Sequence, residues 1–300
     1  KGLFGNEGIP VTAYFICHVW DAEGDTFMTR GDLDPATWSG TWTFIKGTGK
    51  FEGVTGGGTW NPGPQFQGGD DSLKTSFITH ETSDNLIGWL HCFRDPEQYF
   101  SPDMPLYFAS ESDWTDCHLN KPDPSVEKKY DFIYICLKVD EKLDKCDDWA
   151  TYNKNWDLGK ECLKVFCQEM KLKGLLVGRK DCPLPDKCSD LMTTTNMVSN
   201  EELKKYYNQS RFIFIPNQAD ASPRVLTEAL CCDVPCLVNY NILGGWKYVN
   251  QHTGEFFNDA SDVKKATQKL LKNIKNNQYT PRKYFVENYG IPKSGARFKK

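Results

Sequence analysis

The residues best suited to chemistry lie between Phe212 and Phe257. The apolar run FIFIP predicts a buried strand that ends at Pro216. Shortly after it, Ser222 fits the N-cap of a helix and Pro223 fits the first helical position. The free N–H groups and the positive dipole end of such a helix bind anions. We therefore expect a phosphate or diphosphate at this point of the chain.

Two carboxylates accompany the predicted helix start. Asp220 comes just before it, and Glu228 lies in the middle of the otherwise apolar helical stretch Arg224–Cys232. A carboxylate in such a helix costs several kcal/mol or shifts its pKa unless it has partners. Glu228 therefore either pairs with neighbouring groups or binds a ligand, and the local pattern leaves both readings open. Asp220 could face the same ligand.

The elements that must position these residues alternate between buried strands and amphipathic helices from residue 128 onwards. Apolar runs of strand length occur at Asp131–Leu137, Leu175–Val177, Phe212–Ile215 and Pro235–Val238. Such strands are buried on both faces, so residues 128–300 are predicted to form an α/β Rossmann-like domain with a doubly wound parallel sheet. Ligands of these sheets bind at the carboxyl ends of the strands. Asp220 and the helix start must lie there.

The N-terminal part of the chain has a different composition. Residues 1–68 hold more than half of the 24 glycines. Short alternating runs separated by glycine-rich turns predict strands at Val11–Trp20, Thr26–Arg30, Ser39–Ile45 and Lys50–Val54. We expect a small β-rich antiparallel segment over residues 1–68. Residues 69–127 are then the remnant of an acceptor domain and a linker.

Residues 128–290 resemble the donor-binding half of retaining glycosyltransferases of the GT-B fold, family 4. The likeness rests on carboxylates eight positions apart, a following strand start and two glycine positions. These are Asp220, Glu228-Ala229-Leu230, Asp233–Val238, Gly244-Gly245 and Thr253-Gly254. Residues 47–56 weakly resemble a hairpin of calycin-like barrels, including the allene-oxide-cyclase type.

The family resemblance implies an enzyme that transfers a sugar from a nucleotide-sugar donor to a carbohydrate or glycan acceptor with retention. It implies that Glu228 binds the ribose hydroxyls, that Asp220 contacts the transferred sugar and that Lys154 stabilises the leaving diphosphate. Further donor-binding positions implied in the same way are Met197 and Val198 near the base, and Ser222, Pro223, Arg224 and Val225 around the diphosphate.

The sequence departs from the family pattern in three respects. Asp220 replaces a glutamate and is one methylene shorter. The arginine expected after the first strand is not evident, and Lys138 is the nearest candidate, although lysine is not equivalent to a bidentate arginine. Residues 1–127 contain no βαβ repeats, so we expect the chain alone to bind donor but to transfer sugar weakly. His91 could approach an acceptor, or it could be a structural histidine.

Composition and cysteine spacing exclude several classes of protein. The 300 residues carry a net charge of −4 and no apolar run of the roughly 20 residues that span a bilayer, so we expect no nucleic-acid partner and no integral membrane segment. The chain has neither Cys-x-x-Cys spacing nor a convincing acidic cluster, so we expect no metal and no cofactor. Most cysteines sit in apolar patterns, which favours free thiols and a cytoplasmic location, although Cys182 and Cys188 could pair.

Two further functions stay open. A non-catalytic nucleotide-sugar-binding module would fit the missing second domain and the aspartate at position 220. Alternatively, the β-rich segment could act as a barrel that binds a small ligand. Turnover of labelled donor separates an enzyme from a module, and ligand binding by residues 1–68 alone would support the barrel.

Overall fold

The computed structural model describes residues 13–20, 26–34, 39–60, 89–98, 102, 105–137, 146 and 154–298. They belong to two units, Lys1–Leu90 with Asp95–Tyr107, and His91–Arg94 with Phe108–Lys300. The predicted three-part division at residues 68 and 127 stays a prediction. The family-arginine candidate Lys138 lies outside the described residues.

An antiparallel sheet lies in the first unit, as the glycine-rich pattern predicted. Its strands, in the order β1-β2-β3-β4, are β1 (Ala13–Trp20), β2 (Thr26–Asp34), β3 (Ser39–Gly47) and β4 (Gly57–Trp60). The predicted strand at Lys50–Val54 is wrong, because Gly49–Phe51 forms a 3₁₀ turn and the fourth strand begins only at Gly57. Gly53 and Gly56 both have positive φ angles, which end the extended conformation between these elements.

A six-stranded parallel sheet forms the centre of the second unit, in the order β12-β11-β10-β7-β8-β9. Its strands are β7 (Tyr130–Ile135), β8 (Gly174–Val177), β9 (Met192–Thr195), β10 (Ser210–Ile215), β11 (Cys236–Asn239) and β12 (Gly254–Phe257). Two three-residue strands, β5 (Trp89–His91) and β6 (Leu106–Phe108), precede it. The predicted Rossmann-like α/β fold is confirmed.

Helices alternate with these strands. They are α1 (Trp156–Lys164), α2 (Asn200–Gln209), α3 (Arg224–Cys231), α4 (Val263–Lys275), α5 (Pro281–Asn288) and α6 (Ile291–Phe298). Single turns lie at Pro96–Gln98, Glu111–Trp114 and Trp246–Tyr248, and a π-helical turn at Val165–Glu169 extends α1. Within the described residues, no helix has the length and apolar character needed to cross a membrane.

The two faces of the parallel sheet bury alternate residues of its central strands. In β10, Phe212 and Phe214 pack into one core with Phe132 of β7. Ile213 and Ile215 pack into a second core on the opposite face. A side-chain period of two with both faces buried produces the continuous apolar runs from which these strands were predicted.

Two disulfides correct the predicted cysteine chemistry. Cys182 pairs with Cys146 and Cys188 pairs with Cys167, with Cα–Cα distances of 5.5 and 5.2 Å. The expectation of free thiols is therefore wrong for these four cysteines, and Cys182 and Cys188, which the sequence left as a possible pair, do not pair with each other. Disulfides persist mainly in oxidising compartments, so these bonds give the expected reducing location no support.

Candidate active site

The loop that follows β10 brings the two predicted catalytic residues together. The Nζ of Lys154 lies 2.7 Å from Oδ2 of Asp220, although 66 positions separate them in sequence. The same carboxylate oxygen accepts a 2.7 Å hydrogen bond from the Asn217 side chain. The backbone N–H of Ser222 donates to the other oxygen, at 3.2 Å.

This ion pair is partly exposed to solvent. The Lys154 and Asp220 side chains are 24% and 10% exposed. Asp220 is therefore held by three donors from two segments of chain, and Lys154 keeps a partly open side chain. An anion that entered here would meet a lysine already fixed in place, and it would compete with Asp220 for the ammonium group.

Helix α3 begins one residue later than predicted. Pro223 occupies the N-cap position, and Arg224 is the first helical residue. The predicted N-cap, Ser222, uses its hydroxyl elsewhere: its Oγ accepts from the backbone N–H of Ser112 at 2.9 Å and lies 2.8 Å from the Ser112 hydroxyl. The N-terminus of α3 still points to the same loop as Asp220, as the sequence required.

A glycine pair packs against this loop. The backbone N–H of Gly244 donates to the Asp220 carbonyl at 2.9 Å. A side chain at Gly244 would overlap the Ala221 carbonyl, and Gly245 has a φ of +80°. Both glycines are thus needed for the close approach that fixes the loop.

The carboxylate of Glu228 receives a hydrogen bond from a buried tyrosine. The hydroxyl of Tyr207, on α2, donates to Oε2 of Glu228 at 2.9 Å. Burial, together with the negative charge of Glu228, raises the pKa of Tyr207 well above its usual value. Within the part of the chain that the structure describes, Glu228 forms no ion pair. The hydrogen-bond partner of Glu228 is therefore a neutral donor.

Glu228 lines a cleft of about 490 Å³. Residues of three segments contribute to this Glu228 cleft: the turn after residue 110, helix α2 and helix α3. They include Glu111, Trp114, Thr115, Asp116, Leu119, Asn120, Asn200, Glu201, Leu203, Lys204, Tyr207 and Arg224. The cleft joins the predicted ribose-binding carboxylate to the first residue of α3.

The other predicted donor-binding residues lie at different depths. Arg224 is exposed and pairs with Glu111 at 3.3 Å across the cleft. Val225 is half-buried and packs against the core. Met197 is 62% exposed in the segment between β9 and α2, and Val198 beside it packs on the core.

His91 is packed among aromatic rings. Its imidazole is 5.3 Å from the ring centroid of Phe108 and stacks on Phe93 at 6.4 Å. Only 8% of the residue is exposed. Burial, and secondarily the positive charge of Lys247, lowers the pKa of His91. The surroundings match the structural reading of His91, and its role towards an acceptor stays a prediction.

Sequence reasoning missed the segment that closes one side of the cleft. Asp113 accepts hydrogen bonds from Lys247 at 2.7 Å and from the Tyr248 hydroxyl at 2.6 Å. The Lys247 and Asp113 side chains are 6% and 3% exposed, so the ion pair is almost wholly buried. A local signal was present, because Ser110 and Asp113 form a capping box at a Ser-x-x-Asp spacing. No local sequence signal identified Lys247 as the partner of Asp113.

Metal ligands are not grouped in the described part of the chain. No cluster of three or more histidine, cysteine, aspartate or glutamate side chains is placed there to hold a metal ion. Lys154, Asp220 and the N-terminus of α3 lie together after β10, whereas Glu228, Tyr207 and Arg224 line the Glu228 cleft. An ammonium group and a helix N-terminus attract anions, and carboxylates accept hydrogen bonds from hydroxyl groups.

Part of the chain matches a protein-family model. Residues 188–289, about a third of the chain, match the family model described as glycosyl transferases group 1. The matched range contains β10, α3, the Asp220 loop and Glu228. No curated protein matches the chain.

Solved glycosyltransferase structures share the fold. The sucrose-phosphate synthase of Thermosynechococcus elongatus aligns with a TM-score of 0.55 at 13% identity, over 78% of this chain and 64% of that one. A TarM mutant of S. aureus, in complex with fondaparinux, α-GlcNAc-glycerol and UDP, aligns with a TM-score of 0.54 at 10% identity, over 97% and 74%. The pneumococcal O-GlcNAc transferase GtfA, in complex with UDP and GlcNAc, aligns with a TM-score of 0.50 at 12% identity, over 72% and 44%. The chain thus spans less than two thirds of the sucrose-phosphate synthase, and these likenesses establish a Rossmann-like domain of the GT-B type.

Proposed function

We propose that the chain is a retaining glycosyltransferase that binds a nucleotide-sugar donor between the Asp220 loop and the Glu228 cleft. The observation that carries this proposal is the meeting of Lys154, Asp220 and the N-terminus of α3 at the carboxyl edge of the sheet. The match of residues 188–289 to group 1 glycosyl transferases supports it. The acceptor is proposed to be a carbohydrate or glycan.

Each group has a role that follows from its chemistry. The diphosphate lies at the N-terminus of α3, where backbone N–H groups and the helix dipole attract negative charge. Lys154 contacts the diphosphate and stabilises the charge that develops as the sugar leaves. Glu228 accepts hydrogen bonds from the ribose hydroxyls, and each such charged bond contributes about 1.5–3 kcal/mol.

Asp220 has a second role in this arrangement. Its contacts with Asn217 and with the Ser222 N–H keep the carboxylate in place if Lys154 moves towards the diphosphate. Asp220 then faces the transferred sugar. The shorter aspartate is held closer to the loop than a glutamate would be, so the sugar must approach the loop more closely.

We expect the chain to bind nucleoside diphosphates or nucleotide sugars without a divalent metal, because the anion site is built from Lys154 and helix N–H groups. Titration calorimetry with uridine, guanosine and adenosine diphosphates, in excess chelator, measures this. The matching nucleosides, which lack the diphosphate, serve as control ligands and should bind far more weakly. Binding that disappears with chelator would contradict the metal-free site, and no binding of any donor would contradict the proposed function.

Tyr207→Phe is expected to weaken donor binding by about twofold to tenfold, which corresponds to one hydrogen bond of about 0.5–1.5 kcal/mol. The tyrosine hydroxyl fixes the Glu228 carboxylate, and phenylalanine keeps the buried ring. The matched control is Tyr206→Phe, because the Tyr206 hydroxyl bonds Glu202 at 2.8 Å instead. Equal donor affinity in both variants would show that Tyr207 does not position Glu228 for the donor.

A further inference from the structure

Two cysteines meet beside the Glu228 cleft. The Sγ atoms of Cys117 and Cys231 are 3.3 Å apart, and both cysteines are free thiols. Cys231 is the last residue of α3, three positions after Glu228, and it is buried. Cys117 is half-buried and follows the turn that supplies Thr115 and Asp116 to the cleft.

The backbones on both sides of this sulfur contact are tied to a single arginine. The guanidinium of Arg282, on α5, donates to the carbonyls of Cys117, Asn120 and Cys231. A further bond joins the same two segments, since the hydroxyls of Thr115 and Thr227 are 2.6 Å apart. The sulfur atoms are therefore held in register by contacts that do not involve them.

The two thiols differ in acidity and in access. The hydrogen bond between the two thiols, assisted by the positive charge of Arg282, lowers the pKa of Cys117. The same hydrogen bond, together with burial, raises the pKa of Cys231. Cys117 is thus the more acidic and the more accessible thiol, whereas Cys231 is the less acidic and enclosed one. A reactive cysteine beside a resolving cysteine has this combination of properties.

We propose that Cys117 and Cys231 form a reversible disulfide when the chain meets a small-molecule disulfide such as oxidised glutathione. The Cys117 thiolate attacks one sulfur of the oxidant, which gives a mixed disulfide and releases one small thiolate. Cys231 then attacks the Cys117 sulfur and expels the second small thiolate, which takes up the Cys231 proton. Two protein thiols are oxidised to one disulfide, and one small disulfide is reduced to two thiols.

The geometry requires only a small movement. A disulfide bond is about 2.05 Å long, so the sulfur atoms must approach by about 1.3 Å from their present 3.3 Å. The new bond would fasten the segment carrying Thr115 and Asp116 to the helix carrying Glu228. It would thus join two walls of the Glu228 cleft.

Peptide mapping of the whole chain tests the pair without using donor binding, so its result is independent of the proposed function. The protein is treated with oxidised glutathione, its remaining thiols are alkylated, and it is digested without reductant for mass spectrometry. The expected product is a peptide pair joined through Cys117 and Cys231. Both cysteines should lose alkylation together, and reductant should restore it.

Variants define the order of the two steps. In Cys231→Ser, the mixed disulfide between Cys117 and glutathione should accumulate, because no resolving thiol remains. In Cys117→Ser, Cys231 should stay an unmodified thiol. Cys92→Ser is the matched control, since Cys92 is also half-buried but burial raises its pKa, and this variant should keep the crosslink. The proposal is overturned if Cys117 stays alkylatable in the unsubstituted chain, or if it pairs with any cysteine other than Cys231.

Discussion

Lys154→Ala is expected to lower the rate of donor cleavage by about 100-fold to 1000-fold, the range seen when one preorganised group that stabilises developing charge is removed. The ammonium group is already fixed 2.7 Å from Asp220 and the Lys154 side chain is 24% exposed, so the group needs little reorganisation to meet a leaving diphosphate. The effect should fall mainly on kcat, because charge on the leaving group increases towards the transition state. Release of product from labelled donor, measured over a range of donor concentrations, separates kcat from KM.

The matched control for this prediction is Lys164→Ala, at the end of α1. Lys164 pairs with Glu161 at 2.7 Å and is 47% exposed, so its loss should leave the rate almost unchanged. Folding of Lys154→Ala should persist, since Asp220 keeps the hydrogen bonds from Asn217 and from the Ser222 N–H. An unchanged kcat in a folded Lys154→Ala protein would show that the lysine has only a structural role.

The central strands of the parallel sheet could be predicted from the sequence because burial on both faces leaves a continuous apolar run. The two edge strands could not be predicted in this way. These are β9 (Met192–Thr195) and β12 (Gly254–Phe257). An edge strand pairs on one side only, and β9 exposes Thr193, so polar residues interrupt its pattern.

The candidate site could be predicted in part, because its residues follow strand ends whose position the fold fixes. Asp220 and Lys154, which only the family resemblance had assigned to the same ligand, lie 2.7 Å apart. The capping role of Ser222 was predicted wrongly, because N-cap preference is a local rule. The Ser222 hydroxyl instead accepts a hydrogen bond from the backbone N–H of Ser112, 110 positions away. No local rule predicts a contact of that separation.

Cysteine pairing could not be predicted from local sequence either, because it depends on contacts between distant parts of the chain. Cys182 and Cys188 are close in sequence, and a short loop between them suggested a bond. The folded chain instead places Cys182 beside Cys146 and Cys188 beside Cys167. Sulfur atoms pair according to the positions of their backbones in three dimensions, which the spacing along the chain constrains only weakly.

Glu228→Ala is expected to weaken donor binding by about 1.5–3 kcal/mol, or about 10-fold to 150-fold, through the loss of charged hydrogen bonds to the ribose. The substitution also leaves the buried Tyr207 hydroxyl without its acceptor, at a cost of about 1–3 kcal/mol in folding stability. Donor affinity should therefore be measured by calorimetry well below the thermal midpoint of each variant. Glu228→Gln keeps an acceptor for Tyr207, so it should lose less donor affinity and less folding stability than Glu228→Ala.

The neighbouring Glu201 provides the matched control for Glu228. It lines the same cleft, but its side chain is 84% exposed and pairs with Lys204, so Glu201→Ala should bind donor almost normally. If the two carboxylates acted only through the overall charge of the cleft, both alanine variants would change donor affinity alike. A selective loss in Glu228→Ala, coupled to Tyr207→Phe in a double-mutant cycle, would assign the effect to the positioned carboxylate. Unchanged donor affinity in a folded Glu228→Ala protein would leave the Tyr207–Glu228 bond as a structural contact and remove the ribose site from the proposal.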